Sequence, residues 1–191
     1  MKFIFDPSLV LYLPLWKKDG TIFPSDDALG HSCTVTGALW PPQGRTFNGT
    51  TDKIAVPHNA ALTFTSENFT IEAWIFLDTD WSVAGHLINK MTDATSNGLY
   101  CVFDNNNKIY FYTYQATGVY QQTLTVVDPI AVNTWGLFQL TRIGTAVKIY
   151  INTVNKTEAG TAGSHIDPIT NTTTMYIGAR HDGAASFWRG K

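Results

Sequence analysis

Three tyrosines that alternate along one short segment have the spacing of a binding surface. Residues 108–114 read Lys-Ile-Tyr-Phe-Tyr-Thr-Tyr between an asparagine run and a Thr-Gly pair, so they are predicted to form a β-strand. Successive side chains of a strand point to opposite faces, which places Tyr110, Tyr112 and Tyr114 together on one face. A phenol combines an apolar ring with a hydroxyl group, so this row could contact a sugar or a protein partner, or lie under a loop.

Carboxylates with the spacing of a hydrolase site are not found. Glycoside hydrolysis needs two carboxyl groups about 5–9.5 Å apart. Glu67 and Glu72 are five residues apart and fall on opposite faces of any shared strand, and Glu158 stands alone. Asp78 ends a predicted strand and Asp80 lies in a predicted turn, where solvated aspartates are common. Serine-hydrolase, zinc-protease and phosphate-loop motifs are missing as well, so the chain is not expected to be an enzyme.

Histidines and cysteines do not form a metal-binding pattern. No pair among the five histidines has the spacing of zinc ligands, which argues against a zinc site. His181 lies in a predicted loop and is a candidate ligand contact. Cys33 and Cys101 each lie in an apolar, strand-like run, so two separate buried thiols are predicted, with a single disulfide as the alternative.

The composition indicates a β-rich domain without a nucleic-acid or membrane partner. Of the 191 residues, 44% are hydrophobic, which is enough for a core, and only 15% are charged. Threonine, asparagine, glycine and aromatic residues are plentiful, and they favour strands and turns. The net charge of −2 offers no basic surface to nucleic acid, and no apolar stretch is long enough to cross a membrane. The first seven residues do not resemble a secretion signal, so the compartment is left open.

Hydrophobic periodicity predicts about a dozen short strands and no long helix. Regularly spaced short strands are typical of a sandwich or barrel, and no linker or repeat divides the chain. We therefore expect one domain, with residues 1–7 as an extension and residues 8–191 as an all-β sandwich. The predicted strands are 9–16, 33–35, 45–47, 53–56, 69–76, 85–90, 98–103, 108–114, 119–127, 135–141, 147–152 and 174–178.

Four motifs stand in the order and at the spacing of a known family. They are Phe-Asn-Gly at 47–49, Phe-Thr-Ile-Glu-Ala-Trp-Ile at 69–75, the stretch from Trp135 to Asn152, and Met-Tyr-Ile-Gly at 175–178. In this order the chain resembles the laminin G-like, pentraxin-like jelly rolls of the concanavalin A-like lectin/glucanase superfamily. The resemblance implies a two-sheet antiparallel jelly-roll β-sandwich, and it favours an extracellular, cell-surface or virion-surface location.

The resemblance breaks off at the C-terminus. Family members usually end in a further strand that pairs beside the N-terminal one, whereas this chain stops at Phe-Trp-Arg-Gly-Lys, residues 187–191. The resemblance therefore implies that the last strand is missing and that residues 9–16 form a strand with an open edge. We expect the chain to be a fragment, with the rest of a longer parent polypeptide among its partners.

The resemblance also implies where a ligand would bind. It places the predicted strands 108–114 and 147–152 in one concave sheet, with their outward tyrosines and one lysine on a shared open surface. Loops around that surface contribute two tryptophans and a histidine. The ligand-binding candidates are Tyr110, Tyr112, Tyr114, Tyr150, Lys148, Trp81, His181 and Trp188.

A structural calcium ion is a further implication of the resemblance, although no cofactor is required. Family members take its oxygen ligands from two loops and from the terminal strand, and calcium prefers six to eight such ligands. The terminal contributor is absent here, and simple turns explain the remaining loop residues equally well. The candidate ligands are Asp26, Asp27, Asn48, Gly49 and Asp52.

Three functions follow, in order of preference. The first is a non-catalytic lectin-like module that recognises carbohydrate through the aromatic concave face or the rim loops. The second is a protein-binding or structural module of an adhesin or virion surface, with a surface protein as its partner. The third is a divergent glycoside hydrolase. Neither nucleic-acid binding nor membrane insertion is expected.

Overall fold

Fourteen short strands account for nearly all of the regular structure. The computed structural model describes residues 6–78, 84–161 and 163–191. The strands are β1 Ile22–Pro24, β2 Ser32–Thr36, β3 Phe47–Asn48, β4 Lys53–Val56, β5 Phe69–Leu77, β6 Gly85–Met91, β7 Gly98–Phe103, β8 Ile109–Ala116, β9 Val119–Leu124, β10 Thr134–Ile143, β11 Ala146–Ile151, β12 Val154–Asn155, β13 Met175–Ile177 and β14 Arg189–Gly190.

The strands form two antiparallel sheets. The larger sheet has eight strands in the order β1-β2-β4-β13-β6-β7-β8-β9, and the smaller has six in the order β12-β11-β10-β5-β14-β3. Strands far apart in sequence lie side by side, as β13 does between β4 and β6. This confirms the predicted two-sheet antiparallel jelly-roll sandwich.

The core lies between the two sheets and follows from strand alternation. Ile109 and Phe111 of β8 point into it from the eight-stranded sheet, and Ile149 of β11 points into it from the six-stranded sheet. All three are fully buried in one apolar cluster. Cys33 and Cys101 belong to the same cluster as separate free thiols, as predicted.

Helical structure in the described residues is limited to one 3-10 turn, Ala60–Leu62. The side chain of Asn59 caps it by accepting a hydrogen bond from the Ala61 N–H at 2.9 Å. None of the described residues belongs to a helix long and apolar enough to cross a membrane.

The prediction of a strand at residues 9–16 is wrong. Pro14 has no N–H to donate, and the Tyr12 N–H donates to the carboxylate of Asp27 at 2.9 Å rather than to a neighbouring strand. The segment therefore covers the core as an irregular stretch. Its partly buried apolar residues are Val10, Leu11, Leu13 and Leu15.

The last residues of the chain form a strand of their own. β14 lies between β3 and β5, and Lys191 and Phe76 exchange both backbone hydrogen bonds, at 2.8 and 3.0 Å. The sequence predicted no strand here, and it placed the incomplete edge beside residues 9–16. That the chain is a fragment of a longer parent stays a prediction.

The 156–174 segment, described apart from residue 162, connects the two sheets and is fastened to both. On the six-stranded sheet, Asp167 forms an ion pair with the buried Arg142 of β10. On the eight-stranded sheet, the two ring nitrogens of His165 lie 2.9 Å from the hydroxyl of Thr113 and 2.8 Å from that of Thr123. Burial lowers the pKa of His165 to about 4, so the imidazole is neutral in the fold.

Candidate functional site

The outer face of β7, β8 and β9 holds five tyrosines in contact. Strand pairing sets Tyr100 of β7 opposite Tyr112 of β8, and Tyr114 of β8 opposite Tyr120 of β9. Tyr110 shares this face because it lies two residues before Tyr112 on the same strand. We call Tyr100, Tyr110, Tyr112, Tyr114 and Tyr120 the tyrosine cluster.

The rings of the tyrosine cluster are stacked on one another. Tyr100 and Tyr112 have ring centroids 4.6 Å apart with planes inclined by 25°, and Tyr110 lies 5.9 Å from Tyr112 at an angle of 7°. Tyr114 and Tyr120 are 4.9 Å apart at 20°. Because the ring faces cover each other, the cluster presents mainly ring edges and hydroxyl groups to its surroundings.

Exposure within the cluster is greatest at the edge of the sheet. Tyr114 is only 7% exposed, so this predicted surface residue is packed among its neighbours. Tyr100, Tyr110 and Tyr112 are half-buried. Tyr120, on the edge strand β9, is 44% exposed and is the most accessible ring of the five.

Three phenols of the cluster, those of Tyr100, Tyr110 and Tyr112, are neutral at physiological pH because their pKa values are raised. Burial raises the pKa of both Tyr100 and Tyr112 well above the ordinary value, and a hydrogen bond with Tyr114 raises that of Tyr100 further. The pKa of Tyr110 is also raised, first by burial and then by the carboxylate of Asp104. Each hydroxyl therefore remains both a donor and an acceptor of hydrogen bonds.

A histidine and one loop border the tyrosine cluster. The ring of His86 on β6 lies 5.0 Å from that of Tyr100, and the side-chain amide of Asn89 donates to His86 Nδ1 at 3.1 Å. Burial, followed by the positive charge of Arg180, lowers the pKa of His86 to about 4. The His86 N–H donates to the Ser186 C=O at 3.0 Å, which attaches the loop that holds His181, a predicted ligand contact, to β6 beside the cluster.

Lys148 and Tyr150 lie on the side of the molecule opposite to the tyrosine cluster. The prediction that they share one surface with Tyr110, Tyr112 and Tyr114 is therefore wrong. Both residues are on β11 in the six-stranded sheet, whereas β8 is in the eight-stranded sheet. The two strands point their apolar residues into the same core from opposite sides. Their outward side chains therefore lie on opposite outer surfaces.

The outer face of the six-stranded sheet has exposed aromatic residues of its own. Tyr150 stands opposite Gln139 of β10, whose side-chain amide donates to the carboxylate of Glu72 on β5. One step along the sheet, Trp74 stands opposite Leu137 and is 63% exposed. This tryptophan is far more accessible than the rings of the tyrosine cluster.

Of the two remaining predicted contacts, one is buried and the other lies outside the described residues. Trp188 is 2% exposed, and its ring lies 5.9 Å from that of Phe103, so it is a core residue rather than a rim contact. The prediction for Trp81 falls outside the described residues.

A match to a protein-family model identifies the superfamily of this chain. The model described as the concanavalin A-like lectin/glucanases superfamily matches residues 48–191, which is most of the sequence. The chain belongs to this superfamily. A search of curated protein sequences finds no match.

Solved structures show how the superfamily fold recurs in larger proteins. The botulinum neurotoxin serotype D binding domain matches with a TM-score of 0.62 and 16% identity, over 81% of this chain and 39% of its own length. Trypanosoma rangeli sialidase matches with a TM-score of 0.64 and 17% identity, over 91% of this chain and 28% of its own length. This chain thus spans less than half of either protein, and at such identities the likeness establishes the fold alone.

The calcium ligands implied by the superfamily resemblance already have partners within the protein. Asp27 accepts backbone hydrogen bonds from its own loop, and Asp26 pairs with Lys18. Asn48 Oδ1 accepts from the following N–H groups, and Asp52 accepts from the Asn48 N–H at 3.0 Å. No group of three or more His, Cys, Asp or Glu able to hold a metal occurs among the described residues. The calcium ion therefore stays a prediction from the resemblance.

Reasoning from the sequence missed three residues that the superfamily fold brings to these surfaces. Tyr120 could have been found, because the turn at Gly118 makes β8 and β9 a hairpin and sets Tyr120 opposite Tyr114. Tyr100 and His86 reach the cluster only through the pairing of β6, β7 and β8, which no local pattern reveals.

Proposed function

We propose that this chain is a non-catalytic, lectin-like module that binds a glycan on the tyrosine cluster and the adjoining loop of His181. The superfamily and the fold are lectin-like, which is consistent with the proposal. The observation that supports it most directly is the stack of five tyrosine rings on one outer face. Binding of the glycan by this surface requires no cofactor.

Hydrogen bonding, rather than broad stacking, is the chemistry that this surface offers to a sugar. The half-buried rings of Tyr110 and Tyr112 are stacked on each other, and the hydroxyl of each is a donor and an acceptor. Tyr120, at the end of the stack, adds an accessible apolar ring. Stacking already restricts these side chains, so a ligand would lose little binding free energy to their ordering.

The carboxylates of the two sheets support a binding role rather than a hydrolytic one. The acidic side chain on β5, Glu72, lies on the outer face opposite to the tyrosine cluster and is bonded to Gln139. Glu67 accepts hydrogen bonds from Thr65 in its own turn, and Glu158 pairs with Lys108. Each of these acids has a partner that accounts for its position.

A glycan array followed by titration of the best ligand tests the proposal. Tyr112→Phe keeps the stack and removes one hydroxyl, so affinity should fall about five- to tenfold, as expected for one hydrogen bond. Tyr120→Ala removes the exposed ring and should weaken binding at least as much. Tyr150→Ala is the matched control, since it removes a half-buried tyrosine from the other sheet and should leave affinity unchanged.

Two outcomes would overturn the proposal. One is a glycan whose affinity is the same for the unmodified chain and for both cluster variants. The other is an array without any bound glycan, together with specific binding to a surface protein. That second result would favour a protein-binding or structural module of the same fold.

A further inference from the structure

Strand β9 ends the eight-stranded sheet with one side open. It pairs with β8, and among the described residues no other strand lies beside it. β9 has six residues, whereas the other strands that end the two sheets are shorter: β1 has three residues, and β3 and β12 have two each. The open side of β9 therefore offers more backbone than that of any other terminal strand.

The backbone groups on the open side of β9 can be assigned from one contact. In an antiparallel sheet, alternate residues of a strand direct their N–H and C=O groups to the same side. The Leu124 C=O accepts a hydrogen bond from the Glu158 N–H at 2.8 Å, on the side away from β8. Tyr120 and Gln122 direct their groups the same way, but no described residue bonds to them there. We call residues 119–122, with these groups, the β9 edge.

The β9 edge lacks three features that usually keep a strand edge from pairing. Such edges are protected by charged side chains, by proline or by a covering segment. Residues 109–127, which include the whole β8–β9 hairpin, contain neither a charged residue nor a proline. Val119 and Tyr120 are 46% and 44% exposed, so the edge is not covered either. By contrast β1, at the other end of the same sheet, is short and contains Pro24.

Neither described end of the chain lies at the β9 edge. Lys191 exchanges backbone hydrogen bonds with Phe76 of β5, in the six-stranded sheet. Near the other end, the Tyr12 C=O accepts from the N–H of Asp26, two residues after β1, and β1 is the strand farthest from β9 in its sheet. The open edge is thus a property of the β8–β9 hairpin itself.

We propose that the β9 edge pairs with the β9 edge of a second copy of this chain, antiparallel and around a two-fold axis beside Gln121. In this register Tyr120 stands opposite the partner's Gln122, and the two residues exchange both of their backbone hydrogen bonds. The symmetry-related pair does the same, so the two eight-stranded sheets become one continuous sheet. Because both copies use the same surface, the contact is closed and stops at a dimer.

Charge and aromatic contacts favour a second copy as the occupant. Like charges directly opposite each other destabilise a strand pair, and two uncharged β9 edges meet without this cost. An uncharged edge also offers no attraction that would select a charged segment of another protein. The ring of Tyr120 stacks on that of Tyr114 at 4.9 Å, and the two copies of Tyr120 lie on a diagonal of the new strand pair, which aromatic side chains can span. The two tyrosine clusters therefore form one row across the axis.

Sedimentation velocity over a concentration series, combined with amide hydrogen exchange measured by NMR, tests the inference. The 191-residue chain should form a dimer with a Kd on the order of 100 µM, as expected for a contact limited to one strand edge. Protection of the Tyr120 and Gln122 amides should rise with the fraction of dimer. The Thr123 amide is the internal control, because it faces β8 and should change little.

A pair of opposite charges at Gln121 tests the register. Gln121 is exposed, stands opposite its own copy at the axis, and directs its side chain to the face away from the tyrosine cluster. Gln121→Lys and Gln121→Glu should each weaken self-association about three- to tenfold, and mixing the two variants should restore it as a heterodimer. Ala146→Lys and Ala146→Glu are the matched controls. They place the same charges at an exposed position of β11, in the other sheet, and should leave self-association unchanged.

Three results would overturn the inference. They are a chain that stays monomeric up to about 1 mM, a dimer whose protected amides lie away from the β9 edge, and self-association as strong in Gln121→Lys as in the unmodified chain. The inference does not depend on glycan binding. Tyr112→Phe should weaken glycan binding and leave the dimer unchanged, whereas Gln121→Lys should weaken the dimer and leave glycan affinity unchanged.

Discussion

The two outer faces of the sandwich show how strand pairing decides the environment of aromatic side chains. The tyrosine cluster stands on β7, β8 and β9, which are paired with one another along their length, and its rings cover each other. Trp74 stands on β5, which on the side away from β10 is paired with β14 only at its end among the described residues, and it is the most exposed of the aromatic residues on either face described above. Aromatic residues with the same alternation therefore form a rigid stack in one sheet and an accessible surface in the other.

Hydrogen exchange should show the largest difference between the two regions. The amides of Tyr110 and Tyr112 lie in a strand with partners on both sides and should exchange only with global unfolding. The amides of Trp74 and Glu72 face the side of β5 that β14 meets only at Leu77 and Phe76, so they should exchange about a thousandfold faster, given ordinary domain stability. Equal rates in the 191-residue protein, measured residue by residue by NMR, would mean that this side of β5 is covered.

Acid should destabilise the fold through two histidines that contact the eight-stranded sheet. His86 and His165 both contact this sheet, and their folded-state pKa of about 4 lies below the unfolded value near 6.5. Between those values the unfolded chain binds more protons, so stability is complete above pH 6.5 and is lost as pH falls toward 4. Each histidine should cost about 2 kcal/mol by pH 5.

Urea denaturation at pH 7 and at pH 5 measures this loss. His165→Asn should lower the stability at pH 7, because it removes a partner from Thr113 or Thr123, and it should also reduce the difference between the two pH values. A chain equally stable at both pH values would show that these histidines are accessible to protons in the fold.

Removal of single aromatic rings should give a smaller difference between the two regions, measured as the loss of unfolding free energy. Tyr100→Ala deletes a ring that contacts His86, Tyr112 and Tyr114, and it should cost about 3 kcal/mol of unfolding free energy. Trp74→Ala should cost about 1 kcal/mol or less, because most of that side chain is already in solvent. If Trp74→Ala proved the more damaging change in thermal or urea unfolding, Trp74 would have a structural role that its exposure conceals.

The sequence was sufficient for the fold class and for the faces of individual strands. Alternation placed Ile109, Phe111 and Ile149 in the core correctly, because a period of two is a local property of each strand. It did not tell which sheet β11 joins, since strand order depends on pairing between distant segments. Alternation therefore predicted correctly that Tyr150 points outward, but the residue was assigned to the wrong outer surface.

Residues near the chain ends were predicted least well, for separate physical reasons. Apolar residues at 9–16 have strand composition, but Pro14 and the capture of the Tyr12 N–H by Asp27 remove the pairing that a strand needs. Trp188 was taken for a loop contact because the local sequence is rich in glycine and charge. Its burial depends on Phe103, which lies 85 positions earlier in the chain.

His165 has a consequence for the order of folding. Its bonds to Thr113 and Thr123 close loops of 52 and 42 residues, so they form only after the strands that present the two hydroxyls are in place. The imidazole must also be in its neutral form to enter this site. Docking of the 156–174 segment should therefore be a late kinetic step, and refolding at mildly acidic pH should slow that step before it slows sheet formation.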